Sequence, residues 1–198
     1  MKTRIDFYID FISPFGYLAA HELPRIASEL DCELVYHVVT LQELKLRAGN
    51  TGPSNRDIPI KRKYIQEDRN RWARVYGIPI QTPASYDAER LNRGAFLAQD
   101  RNLMQAYAAK AGALTWGSGG PMGTDATIIA LADGIGIPSA ELLAYCDSDD
   151  AIRRLAESTD AAHKRGVFGV PTMMVGDEMW WGNDRLDFMK RRIEQLHR

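Results

Sequence analysis

The chain predicts an α/β fold of βαβ…ββα order, a small mixed sheet whose two halves are separated in sequence by an all-helical insert. Three observations carry this. Residues 5–11 alternate Ile5, Phe7, Ile9 and Phe11 with Asp6, Tyr8 and Asp10, the period of two that marks a strand. A helical pattern and a second β-rich run complete a βαβ unit by Val39. Near the other end, Pro171–Val175, the turn Gly176-Asp177 and Glu178–Trp181 read as a hairpin followed by a helix.

The first strand breaks at Ser13-Pro14, which opens a helix to about Leu30, with Pro24 marking a kink or an early stop. Glu33–Val39 is the second strand, and a βαβ unit predicts that it runs parallel to the first through a right-handed crossover. Residues 51–59, rich in Gly, Pro, Asn and Asp, predict a loop. A helix over 61–76 carries Tyr64, Ile65, Trp72, Val75 and Tyr76 at helical spacings. Residues 88–111 predict one further helix, closed by Gly112. Thr124 or Asp125 can cap a helix through Ala132, Ser139 one through Cys146, and Asp147 or Ser148 one ending near Gly166. After the hairpin, Asn183 or Asp184 caps a closing helix containing Leu186, Phe188, Met189, Ile193 and Leu196. The expected division is 1–60 and 155–198 for the sheet domain and 61–154 for the helical insert.

At 198 residues and 45% apolar, the chain can bury a large core. A net charge of −1 argues against a general nucleic-acid or membrane-surface role. Asp6 and Asp10 interrupt the first apolar run, so no signal peptide or membrane span is expected there. The two isolated cysteines, Cys32 and Cys146, and the four histidines lack metal-ligand spacing. Reduced, buried thiols in a cytoplasmic protein are the expectation, with no metal.

The Ser13 break is the most informative chemical feature. A helix N-terminus presents free N–H groups and the positive end of a dipole to an anion. In the thioredoxin-like architecture, which this arrangement resembles, that position holds the first cysteine of a Cys-x-x-Cys pair; here Ser13 and Gly16 take the two places. A hydroxyl forms no disulfide, but it can donate a hydrogen bond to the thiolate of a bound small thiol. Val170-Pro171 lies directly before a strand, where thioredoxin-like folds hold a cis-proline, whose neighbour would pair with an extended peptide. Spacing alone leaves an ordinary trans proline open; the Ser13 motif favours cis. In Trp181-Gly182-Asn183-Asp184-Arg185, helix N-terminal amides suit a carboxylate and an acid suits an ammonium, although Asn183 or Asp184 acting only as a cap accounts for the same residues. Asn50, Asn55 and Lys61, in and after the polar loop, are candidates for an anionic ligand, against the alternative of solvated surface. Tyr64, Trp72 and Tyr76 could wall an aromatic pocket or pack in the core.

Taken together these pieces resemble the 2-hydroxychromene-2-carboxylate isomerases and their relatives, the kappa-class glutathione transferases, within the disulfide-oxidoreductase superfamily. The matching segments are Phe11–Tyr17, Pro59-Ile60-Lys61, Arg71-Trp72-Ala73, Tyr76-Gly77, Gly166–Thr172 and Trp181–Arg185, in order along nearly the whole chain. The resemblance implies a thioredoxin-like fold, glutathione as cofactor and a homodimer. It implies that Ser13 hydrogen-bonds the glutathione sulfur and that Lys61 contacts glutathione or the anionic substrate. Val170, beside Pro171, would pair with the glutathione backbone, and Asn183, Asp184 and Arg185 would hold the γ-glutamyl end. The family's loop asparagine falls on Gly52 in the ungapped register from Lys61, which leaves Asn50 and Asn55 as neighbouring candidates. The implied reaction is glutathione-dependent cis–trans isomerisation of 2-hydroxychromene-2-carboxylate to trans-o-hydroxybenzylidenepyruvate, a step of naphthalene-type aromatic catabolism. Glutathione conjugation of electrophiles and a non-catalytic thioredoxin-like binding module are the alternatives. Glutathione balance in the reaction separates the first from isomerisation, and tolerance of Ser13→Ala without glutathione affinity identifies the second.

Overall fold

A computed structural model describes residues 2–198 and contains the expected β-α-β, helical, β-β-α order. Strands β1 (Arg4–Ile9), β2 (Glu33–Val38), β3 (Thr172–Val175) and β4 (Glu178–Trp181) form one sheet in the order β2-β1-β3-β4. β1 and β2 are parallel, with Arg4 opposite Glu33 and Ile9 opposite Val38, while β3 pairs antiparallel with both β1 and β4. Between β1 and β2 runs α1 (Pro14–Glu29); it continues through Pro24 without stopping.

Seven helices separate β2 from β3: α2 (Leu41–Arg47), α3 (Pro59–Tyr76), α4 (Glu89–Asp100), α5 (Met104–Gly112), α6 (Asp125–Ile135), α7 (Ser139–Cys146) and α8 (Asp149–Lys164). The closing helix, α9, spans Leu186–Leu196. The borders expected at 60/61 and 154/155 both fall inside helices, α3 and α8. No helix among the described residues is long and apolar enough to cross a membrane.

Helices cover both faces of the sheet, so β1 is buried in both phases of its alternation. Ile5, Phe7 and Ile9 join a core with Leu23 of α1 and Met189 and Ile193 of α9. Tyr8 and Met174 face a second cluster with Leu44 of α2 and Ala162 of α8. The acids of the polar phase are buried as well, and each is compensated. Asp6 accepts from Arg4 Nε at 2.8 Å, Arg165 Nη1 at 2.9 Å and His37 Nε2 at 2.7 Å. Burial raises its pKa, but these donors outweigh it and hold the carboxyl at about 2.

Four local expectations are corrected. The single helix over 88–111 is two, because the chain turns at Asn102, which adopts a left-handed φ of 58°. Gly112 does not stop a helix; it stays helical and runs on into a π-helical turn, Ala113–Gly117, and a Cβ at this position would run into the ring of Tyr17. Its role is close packing. Ser139 begins α7 without capping it: Pro138 holds the cap position. Asn183 and Asp184 cap nothing through their side chains, since a 3-10 turn, Asn183–Arg185, leads into α9. Thr124 and Ser148, in contrast, do cap, accepting from Thr127 N and Ala151 N.

Candidate active site

The turn between β1 and α1 is where sequence and geometry meet. Ser13 is the N-cap of α1 in extended conformation, and Pro14 takes the first helical position, where its missing N–H costs nothing. Ser13 Oγ accepts from Gly16 N at 3.1 Å, and its own N–H donates to Asp10 O at 3.0 Å. A hydroxyl carries one proton. With its oxygen fixed by Gly16, the Ser13 O–H has no acceptor among the described residues and is the free donor at the helix end. A Cβ at position 16 would meet Ser13 Cβ at 3.2 Å, so glycine keeps the helix tight against the cap.

Behind Ser13 the turn is clamped by the helical segment. Asp10 Oδ1 accepts from Ile12 N at 3.0 Å and Asn92 Nδ2 at 2.8 Å, and its Oδ2 accepts from Leu41 N at 2.8 Å. Phe11 N donates to Asn92 Oδ1 at 3.1 Å, and Trp116 Nε1 donates to Phe11 O at 3.0 Å. Burial pushes the Asp10 carboxyl up from its ordinary value, although its backbone and Asn92 donors pull the other way.

The turn opens into a cleft of about 1150 Å³. One wall comes from the sheet side: Ser13 and Phe15 from the turn, Val170 and Phe168 from the segment before β3, and Trp181 from the end of β4. The Val170-Pro171 bond is cis, and Thr172 Oγ1 donates to Gly169 O at 2.7 Å to fix this segment. Phe168 and Trp181 meet edge to face with centroids 5.0 Å apart. Gly169 leaves room for Trp181, whose Nε1 would lie 2.8 Å from a Cβ there.

The other wall comes chiefly from the helical segment: Arg69, Tyr86 and Trp116, with Arg56 and Arg62 at its edge. The Arg56 guanidinium lies 4.2 Å from the Tyr86 ring centroid, Tyr86 stands 6.0 Å from Trp116, and Arg69 stacks 5.4 Å over Trp116. This wall has no counterpart among the candidates that the sequence suggests. Tyr64, Trp72 and Tyr76 do not line the cleft; Tyr64 is exposed on α3, and Trp72 packs against Tyr76.

Of the sequence candidates, Ser13, Asn50, Asn55 and Val170 line one cleft, with Pro171 joined to Val170 by the cis bond. Lys61 is exposed outside the lining and donates from Nζ to Asn55 Oδ1 at 3.3 Å. The 183–185 turn also stands outside the lining. Its left-handed entry at Gly182, φ 106°, favours glycine, and Asp184 pairs with Arg185 at 2.8 Å. Asn183 is buried, with its Nδ2 lacking a partner. Neither cysteine lines the cleft; burial pushes Cys146 up to about 12, which leaves it an inert thiol.

The model of the DsbA-like thioredoxin domain family matches residues 4–194. A 2-hydroxychromene-2-carboxylate isomerase from Pseudomonas sp. (strain C18) is 39% identical over 189 residues, covering 96% of this chain and 89% of that protein. A glutathione S-transferase kappa 2 from Caenorhabditis elegans is 27% identical, covering 93% and 89%. A solved selenomethionine 2-hydroxychromene-2-carboxylate isomerase superposes with a TM-score of 0.94 at 38% identity, covering 98% of this chain and 96% of that one.

Proposed function

The chain belongs to the DsbA-like thioredoxin-domain family and, within it, to the 2-hydroxychromene-2-carboxylate isomerases, and we propose that its isomerase activity runs through glutathione bound at Ser13. The observation that carries this reading is the unused O–H of Ser13 at the N-terminus of α1, opening on a cleft that holds no thiol of its own. The residues present fit the tripeptide. At about 1150 Å³ the cleft exceeds the range of roughly 300–1,000 Å³ that a single drug-sized ligand uses, leaving room for a second molecule.

Bound glutathione would be held by Ser13 and would supply a nucleophilic thiolate suited to reversible conjugate addition to an enone, the carbonyl taking up the electron pair and returning it as the thiolate leaves. Ser13 donates its free O–H to that sulfur, and the end of α1 adds a favourable field. A free thiol has a pKa of about 8.5; lowering it by about one to two units favours thiolate by roughly 1.4–2.7 kcal/mol, sufficient to make thiolate abundant at neutral pH. Ser13 acts as donor and not as nucleophile, because no base contacts its hydroxyl among the described residues. Val170 lies beside the place for the cysteinyl unit, and Asn183, Asp184 and Arg185 receive the γ-glutamyl end. Asn50 and Asn55 line the cleft and Lys61, bonded to Asn55, stands beside them, which supports their contacting glutathione or the anionic substrate. The glutathione-holding part corresponds to 1–60 and 155–198, and the substrate wall chiefly to 61–154.

Two broader assignments accompany this reading. Two unpaired cysteines suit a reducing cytoplasm. Exposed Ile60, Tyr64 and Val75 on α3 suit a homodimer, which sedimentation would reveal.

Ultraviolet monitoring of 2-hydroxychromene-2-carboxylate with and without catalytic glutathione tests the proposal. Many turnovers per glutathione, with the tripeptide recovered, are expected. Turnover without any glutathione would overturn it. Stoichiometric consumption would instead establish conjugation, the activity suggested by the kappa-class relative.

A further inference from the structure

We propose that Arg69 seats the substrate's carboxylate and selects an anionic substrate over a neutral one, an assignment that rests on the isomerase reading above. Arg69 projects from α3 and is only 6% exposed, yet no carboxylate lies within 4.0 Å of it among the described residues. Other partly sheltered arginines are neutralised: Arg90 by Asp125 and Asp147, Arg154 by Asp100, and Arg165 by Asp6. Arg69 has one hydrogen-bond acceptor, Thr82 Oγ1 at 2.6 Å from Nη2, while its Nε is buried without a partner. A guanidinium offers five N–H donors, and burying one without a counter-charge is costly. Burial also lowers its pKa from the ordinary value.

The cleft itself supplies no anion for Arg69. Asp10 is engaged by N–H donors and Glu89 by Arg93 at 3.0 Å, while Asp57 and Asp87 also line the cleft but lie beyond ion-pair distance of Arg69. The missing partner is therefore a ligand. Arg69 lies over Trp116, whose indole is tied to the carbonyl of Phe11 in the turn that presents Ser13. A flat aromatic acid matches this wall: its carboxylate can pair with the fork of Arg69 while its ring lies against Tyr86 and Trp116. The same chemistry exists at the glycyl end of glutathione. The substrate is favoured because Arg69 belongs to the helical wall, whereas Ser13, Val170 and the 183–185 turn belong to the sheet side.

Steady-state kinetics of Arg69→Met and Arg69→Lys, run with 2-hydroxychromene-2-carboxylate and its methyl ester, test this. Arg69→Met should raise KM for the acid on the order of 10- to 100-fold, change kcat less, and leave the ester and the glutathione Kd unaltered. Arg69→Lys, which keeps charge but loses the fork, should fall between. The melting temperature of Arg69→Met should hold or rise, since an unpaired buried charge is removed. Equal losses on acid and ester, or an unchanged KM for the acid, would overturn the assignment. A selective rise in glutathione Kd would overturn it in favour of the glycyl carboxylate. If Arg69→Met fails to fold, the acid-to-ester ratio of Arg69→Lys decides by the same criterion. Failure of the parent reading looks different: the wild-type protein would then turn over without glutathione.

Discussion

The two walls of the cleft are built on opposite principles. On the sheet side, the polar groups are those of the backbone and its caps: the Ser13 hydroxyl sits at a helix cap, and the peptide before Val170 is held by Thr172 Oγ1 donating to Gly169 O, with Phe168 and Trp181 as the apolar flank. On the helical side, position comes from stacking: the adjoining rings of Tyr86 and Trp116 are flanked by the guanidinium groups of Arg56 and Arg69. Backbone-set groups suit chemistry that needs a fixed atom, and stacked side chains suit recognition of a flat, charged substrate. The walls meet at Asn92 and Trp116, which reach from the helical segment to the turn before Ser13.

Perturbing the two walls should therefore give different kinetic signatures. Ser13→Ala removes the donor while leaving the binding surface, and should lower kcat about 100-fold, the usual cost of losing a donor to a reacting anion; a parallel loss of glutathione affinity would collapse the distinction. Asn92→Ala breaks the junction, leaving Phe11 N unpaired and Asp10 with one donor fewer. It should cost about 2–4 kcal/mol in chemical denaturation, with both kcat and KM disturbed.

Acid titration probes the far end of β1, where Asp6 is fully compensated and remote from the cleft. Its depressed pKa means that its stabilisation is complete above the unfolded value of about 3.9 and disappears as pH falls through 2, an effect of about 2–3 kcal/mol. Asp6→Asn should be less stable than wild type at pH 6, and the two should converge near pH 2. The smallest effect should come from Trp116→Phe, which keeps most of the ring and loses one hydrogen bond, about 1 kcal/mol of stability, with KM for the acid more affected than kcat.

The sheet-side wall was legible in the sequence because its parts are local. A strand ending in Ser13-Pro14 specifies a cap, and Val170-Pro171 before a strand marks the facing segment; each needs only neighbouring residues. The stacked wall was not legible. Arg69 stands among Arg62, Arg71 and Arg74 in a charged helix whose periodicity describes a solvated face, and only packing against Trp116 and Thr82 buries it. The rings that looked useful by spacing, Tyr64 and Trp72, lie on the other side of that same helical ambiguity. The alternation in β1 marked a strand but not that helices cover both faces, because that depends on α2 and α8, and α2 gave no periodic signal in its seven residues. Gly112 shows the same limit: a glycine read as a stop serves a neighbouring tyrosine.

Titration of the glutathione thiol by its thiolate absorbance, in complex with the wild-type protein and with Ser13→Ala, tests the central claim most directly. The account predicts a bound thiol about one to two pKa units below the free value in the wild type, with most of that shift lost in the variant. An identical thiol pKa in the two complexes would contradict it.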